Sequence, residues 1–178
     1  MAQPKQHPLV GFMALPEFFS DAVDMIASLS DDWDVVNLLW AEPTAAPGIV
    51  ALSTCRQEPC QSEPDGSIQA FISAVKRRVQ SGRTVQICVN CLQGVPSSNF
   101  SILSLDSQEA LDGFVQSVQD IVGGFGFNGV YIDVEVSPDG WKLMLRFTET
   151  LNLHFSARIA LPPSRTQLAC TASISQTR

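Results

Sequence analysis

Two carboxylates stand two residues apart in Tyr131-Ile132-Asp133-Val134-Glu135, inside a largely apolar, β-branched run from Phe127 to Val136. Such a run reads as a strand, on which successive side chains alternate between faces. Val130, Ile132 and Val134 then share one face, and Tyr131, Asp133 and Glu135 the other. The two acids lie roughly 7 Å apart at their Cα atoms, from a rise of about 3.3 Å per residue. Burying an unpaired carboxylate is costly, so a pair on one face is expected to share a proton or to meet a ligand. Sharing a proton raises one pKa of the pair and prepares a general acid for work near neutral pH. Glu135 is nearer the strand's C-terminal end, where barrel enzymes carry their catalytic groups. An Asp-x-Glu at a strand end is equally compatible with solvated carboxylates or with bonds to loop amides, and spacing alone leaves both readings open.

The surrounding sequence supplies elements that could hold such a strand. Pro8 to Leu15 is an apolar run stopped by Pro16 and reads as a first strand. From Pro16 to Leu29 the apolar residues Phe18, Phe19, Ala22, Val23, Met25, Ile26 and Leu29 recur at helical spacing. Asp34 to Trp40 is a second strand, followed by a long loop holding Pro43, Pro47, Pro59 and Pro64. Ile68, Phe71, Ile72, Val75 and Val79 mark one face of a helix that Gly82 closes. Thr84 to Cys91 is a third strand. Asp106 and Glu109 have capping-box-like spacing ahead of a stripe from Leu111 to Val122, and Gly123-Gly124 is expected to end that helix. After the motif strand come a fourth helix, Gly140 to Leu151, and a fifth strand, Phe155 to Leu161, cut off by Pro162-Pro163.

Strand and helix in alternation, with buried strands, predict a parallel α/β sheet with helical crossovers. A doubly wound open sheet and a (β/α) barrel of TIM type both fit, and periodicity does not separate them. Neither a Gly-x-Gly-x-x-Gly after the first strand nor a P-loop Gly-Lys-Ser/Thr is present. Among 178 residues, 45% are apolar, enough for one domain with a real core. No apolar run approaches the ~20 residues of a membrane-crossing helix. A net charge of -7 argues against nucleic acid and anionic membranes as partners. The basic cluster Lys76-Arg77-Arg78 reads as a solvated helix face. Cys55 and Cys60 flank a polar loop and could close a small disulfide in an oxidising compartment. Cys88-Val89-Asn90-Cys91 has redox and half-zinc spacing but falls on a buried strand. With no second Cys pair or His cluster to complete a site, no metal and no cofactor is expected.

Phe127-Asn128-Gly129-Val130-Tyr131-Ile132-Asp133-Val134-Glu135 resembles the signature of glycoside hydrolase family 18, the chitinase-like family, whose fourth strand carries an Asp-Gly-x-Asp-x-Asp-x-Glu core. Asn128 stands for the first Asp and Tyr131 for the middle one. The stretch Ala157-Arg158-Ile159-Ala160-Leu161-Pro162 resembles the family's fifth strand, and the likeness covers roughly residues 9 to 163. It implies a TIM-type barrel, here partial with about five β/α units over residues 1–165, before a polar, unpatterned tail at 166–178. It also implies hydrolysis of β-1,4 bonds in chitin or another N-acetylglucosamine glycan, the substrate supplying its own nucleophile. By position, Glu135 would be the proton donor and Asp133 would orient the 2-acetamido group. Tyr131, Trp40 at the end of the second strand and Asn90 at the end of the third complete the candidate substrate-binding set.

The same resemblance measures what is missing. The family takes a Tyr from its sixth strand and a Trp from its eighth, and a full barrel needs about 250 residues. The sequence is therefore expected to be a fragment, to be completed by another chain, or to have closed in its own way, with open barrel edges promoting self-association. Tyr131, where the family has a carboxylate, reads as a core-filling aromatic on volume grounds. Hydrolysis is accordingly expected to be weak or absent in this chain by itself. A non-catalytic carbohydrate-binding or storage protein and an open-sheet ligand-binding domain stand as alternatives. The resemblance favours an extracellular or secretory location, although no signal-peptide pattern is visible.

Overall fold

The computed structural model describes residues 8–52, 62–92, 107–135 and 168–172, with backbone alone at 40, 90–92, 134, 135 and 168–172. The strands are β1 (Val10–Ala14), β2 (Val35–Pro43), β3 (Val50–Leu52), β4 (Thr84–Leu92), β5 (Gly129–Glu135) and β6 (Leu168–Ala172). The helices are α1 (Phe19–Ala27), α2 (Ser67–Gln80) and α3 (Gln108–Phe125). The fourth helix and fifth strand expected from sequence lie outside the described residues. No helix among the described residues is long and apolar enough to cross a membrane.

Strands β1, β2, β4 and β5 are parallel neighbours in chain order. Each crossover contains a helix, and all three helices pack on one face. Val36 and Leu38 of β2, Val85, Ile87 and Val89 of β4, and Val130 and Ile132 of β5 join one core with Phe19, Phe71, Phe114 and their helical neighbours. A doubly wound sheet reverses its strand order and covers both faces with helices. Chain-order strands with helices on one side are instead the arrangement of a (β/α) barrel, here an unclosed part of one, and the open-sheet alternative falls.

Curvature follows from one contact. Three interstrand steps of about 4.8 Å would hold β1 and β5 about 14 Å apart on a flat sheet. Yet the rings of Phe12 and Tyr131 meet edge to face with centroids 5.2 Å apart. The sheet bends around the face that the helices leave bare.

Several local features differ from the sequence reading. The long loop after β2 contains a hairpin, in which Ala41–Pro43 pair antiparallel with β3. It settles on α3 where Gly48, at φ 75°, abuts the Ala110 carbonyl, and where the Val50 N–H donates to Ser117 Oγ at 3.2 Å. Helix α3 is capped by Ser107, whose Oγ accepts the Ala110 N–H at 3.1 Å. It runs through Gly123 and Gly124 and stops at Gly126, at φ 81°, because only there does the backbone turn left-handed.

Phe18 precedes α1 without a capping side chain, and Glu63 fills that role from a distance. Its carboxylate accepts the Phe19 N–H at 3.0 and 3.1 Å and the Ser67 hydroxyl at 2.8 Å, tying the first turns of α1 and α2 together. Arg78 is buried, contrary to the solvated reading of its cluster. Its guanidinium donates to the carbonyls of Leu29 and Ser30, at 3.1 and 2.6 Å, beyond the end of α1.

The expected tail also differs. Leu168–Ala172 forms β6, antiparallel to β5, so the next position beyond β5 is not taken by a parallel strand. Its short apolar and β-branched stretch, Leu-Ala-Cys-Thr-Ala, is too brief to stand out by periodicity and is ordered by the ladder it joins.

Candidate active site on the bare face of the sheet

Asn128 sets the register of the motif strand before the acids begin. Its Oδ1 accepts the Val85 N–H at 2.8 Å and its Nδ2 donates to the Arg83 carbonyl at 3.0 Å, locking the start of β5 to β4. Gly129 follows because the Gln86 side chain lies against it; a Cβ there would come within 2.7 Å of Gln86 Nε2. From this anchored start, Val130 and Ile132 turn into the helix-side core, both nearly sealed from solvent. Tyr131 and Asp133, half-buried, take the bare inner face. Alternation along the strand puts position 135 on that face too, at the strand's C-terminal end and level with Leu92 of β4.

The register places Tyr131 opposite Cys88 and Asp133 opposite Asn90. The candidate binding position Asn90 is thus brought beside a candidate catalytic one. Trp40 sits inside β2, which continues past it to Pro43, between Leu39 and Ala41 where the pairing with β4 shifts register. An irregularity of this kind re-aims side chains and recurs beside active sites. Backbone register therefore sets Asn90 beside Asp133 with Glu135 two residues further on, while Trp40 falls level with Tyr131 and Ile132. Tyr131 lies one inward step deeper, against Phe12. It is not the sealed core aromatic that its volume suggests, since it remains half-buried with its ring turned to β1. Trp33 packs against the core, close to Gly11. Trp141 and the Cys55–Cys60 pair fall outside the described residues.

Asp133 acts electrostatically on the thiol of Cys88 in the neighbouring strand. Burial pushes the Cys88 thiol up to about 12, with the Asp133 charge adding to the shift. Cys88 is therefore a neutral thiol at physiological pH and a poor nucleophile or redox centre. Among the described residues no group of three or more His, Cys, Asp and Glu could hold a metal ion.

Sequence reasoning overlooked Phe12, Asn37 and Gln86. All three lie on the inner face in one row of the register, and Asn37 and Gln86 are each 1% exposed. Two amides interrupting apolar strands were the available signal.

No protein-family profile matches the chain. It is 29% identical over 146 residues, 81% of its length, to exochitinase 1 of Streptomyces olivaceoviridis, covering 22% of that protein. It is also 29% identical over 111 residues to a protein of Arthroderma benhamiae described as a class II chitinase, covering 62% of this chain and 31% of the other. The fold matches a crystal structure of a family GH18 chitinase from Chromobacterium violaceum with TM-score 0.56 and 21% identity, over 84% of this chain and 37% of that one. The chain thus spans about a fifth to a third of the length of these curated relatives. Over most of its own length it resembles chitinases and has the fold of part of a family 18 barrel.

Proposed function

We propose that this chain carries the acid-bearing portion of a chitinase-type catalytic barrel, acting on β-1,4-linked N-acetylglucosamine polymers by substrate-assisted, retaining hydrolysis. The observation that carries this reading is the position of Asp133 and Glu135. Asp133 lies on the inner face near the C-terminal end of β5 and backbone position 135 ends that strand two residues on, level with Leu92 of β4.

In the proposed reaction Glu135 donates its proton to the glycosidic oxygen as the bond to the anomeric carbon breaks. The 2-acetamido carbonyl oxygen of the same sugar attacks that carbon, giving an oxazolinium ion while the leaving chain departs as an alcohol. Asp133 accepts a hydrogen bond from the acetamido N–H and steers its carbonyl. Water then opens the ring and gives up its proton to Glu135, restoring the acid and retaining configuration. Asn90 and Trp40 are the substrate-binding positions of this proposal, on strands β4 and β2 beside β5 and β4 respectively.

The deciding experiment is Glu135→Gln, because the amide keeps the shape and lacks the proton. Hydrolysis of N-acetylglucosamine oligomers should fall roughly 10²-fold or more while oligomer binding persists. Undiminished turnover in that variant would mean the acid is elsewhere. Tyr131 in place of a carboxylate favours a second reading, a non-catalytic chitin-binding protein on the same fold. Oligomer binding by the unaltered chain, with no turnover, selects that one.

A further inference from the structure

We infer that Tyr131 is a positioning residue: its ring, set edge-on against Phe12 from the far strand of the arc, holds the curvature of the inner face and so fixes the approach of Asp133. The role of Asp133 rests on the function proposed above; the clasp itself does not.

Phe12 and Tyr131 belong to β1 and β5, the outer members of the four parallel strands, and touch across β2 and β4. Between them, on the row of Phe12, stand Asn37 and Gln86, almost fully buried although the helices cover the opposite face. Gln86 can lie flat against β5 because Gly129 has no side chain. Cys88, opposite Tyr131, is fully buried as well. The ring pair stands on the same face as this sealed polar and thiol layer, and in the proposed clasp it helps to roof that layer. Phe12 is itself 54% exposed, so one side of it grips Tyr131 and the other faces solvent. Asp133 is two residues beyond Tyr131 on the same strand face, and any relaxation of the arc that separates the rings rotates both residues together.

This bears on the absence of a carboxylate at position 131. Tyr131→Asp would place a charge against Phe12 and above two buried amides, releasing the clasp instead of repairing the site, which reverses the gain in activity that the family pattern alone suggests.

Tyr131 is the single tyrosine of the chain, so fluorotyrosine labelling gives one 19F resonance, which responds to loss of the Phe12 ring. The second readout is the alkylation rate of Cys88, resolved from the other thiols by mass spectrometry. Phe12→Ala should shift the 19F signal and raise Cys88 labelling on the order of tenfold, the size expected for losing one aromatic pair. Tyr131→Asp should raise labelling at least as much. The conservative Tyr131→Phe, which keeps the ring, should leave Cys88 protected, whatever loss of the hydroxyl does to oligomer binding. Phe12→Ala with an unshifted resonance and a still-protected Cys88 would overturn the clasp, as would Tyr131→Asp with Cys88 protected and tighter oligomer binding. If no variant, nor the unaltered chain, binds oligomers, the proposed function fails while the two clasp readouts still decide this inference.

Discussion

The thiol of Cys88 lies on the strand beside Asp133, and its proton is held from an ordinary value of 9.0 up to about 12, chiefly by burial. The sign of the consequence follows from proton counting. Above about pH 9 the unfolded chain loses this proton while the folded chain keeps it, so the folded state binds more protons and stability falls as pH rises. The slope is about 1.4 kcal/mol per pH unit between the two values. Cys88→Ala should flatten that part of the alkaline decline. Urea melts between about pH 9 and about pH 11 on both proteins would measure it. Parallel loss of stability in the two would mean that Cys88 ionises freely. The same neutrality disfavours thiolate chemistry at Cys88, the first cysteine of the Cys-x-x-Cys spacing.

At the scale of elements, glycines separate three situations. Gly123 and Gly124 lie inside α3 with nothing within 4 Å of where a Cβ would stand. Alanine at either should stabilise the fold by about 0.5–1 kcal/mol. Gly48 combines φ 75° with the Ala110 carbonyl in the way. Gly48→Ala should cost about 2 kcal/mol or more and lift the β2–β3 hairpin from α3. Gly66 has φ 77° but open space, so its alanine variant should cost about 1 kcal/mol, from backbone strain alone. Thermal melts of the four variants would rank them, and an equal cost at Gly48 and Gly66 would argue against the close approach. Sequence already held the four parallel strands, because their apolar runs end in Pro, Gly or polar turns, and it held the inner face of β5 through strict alternation. It did not hold β3, three residues whose strand character comes from pairing with an extended β2. Nor did it hold the burial of Arg78, whose partner carbonyls lie beyond α1, far away in the chain. The Phe12–Tyr131 contact was equally hidden, since curvature is a property of the whole sheet.

For the molecule as a whole, the described strands make an arc with apolar residues at its β1 end, where Leu9, Val10 and Phe12 are 47%, 42% and 54% exposed. Exposed apolar side chains beside a terminal strand favour pairing between copies. Sedimentation velocity should show the average size rising with concentration, and Val10→Lys should suppress the rise. A monomer at every concentration would show that this end is not adhesive. The order of strands has another consequence. Each parallel strand docks beside the one before it in the chain, with no later segment inserted between earlier ones. A chain emerging from the ribosome N-terminus first can therefore add one β/α unit after another to a growing edge, without waiting for distant sequence. The Phe12–Tyr131 contact runs against that order, because it joins the first unit to the last of the four. It can form only once all four parallel strands have been made, so the bend of the inner face should appear only after β5 has emerged.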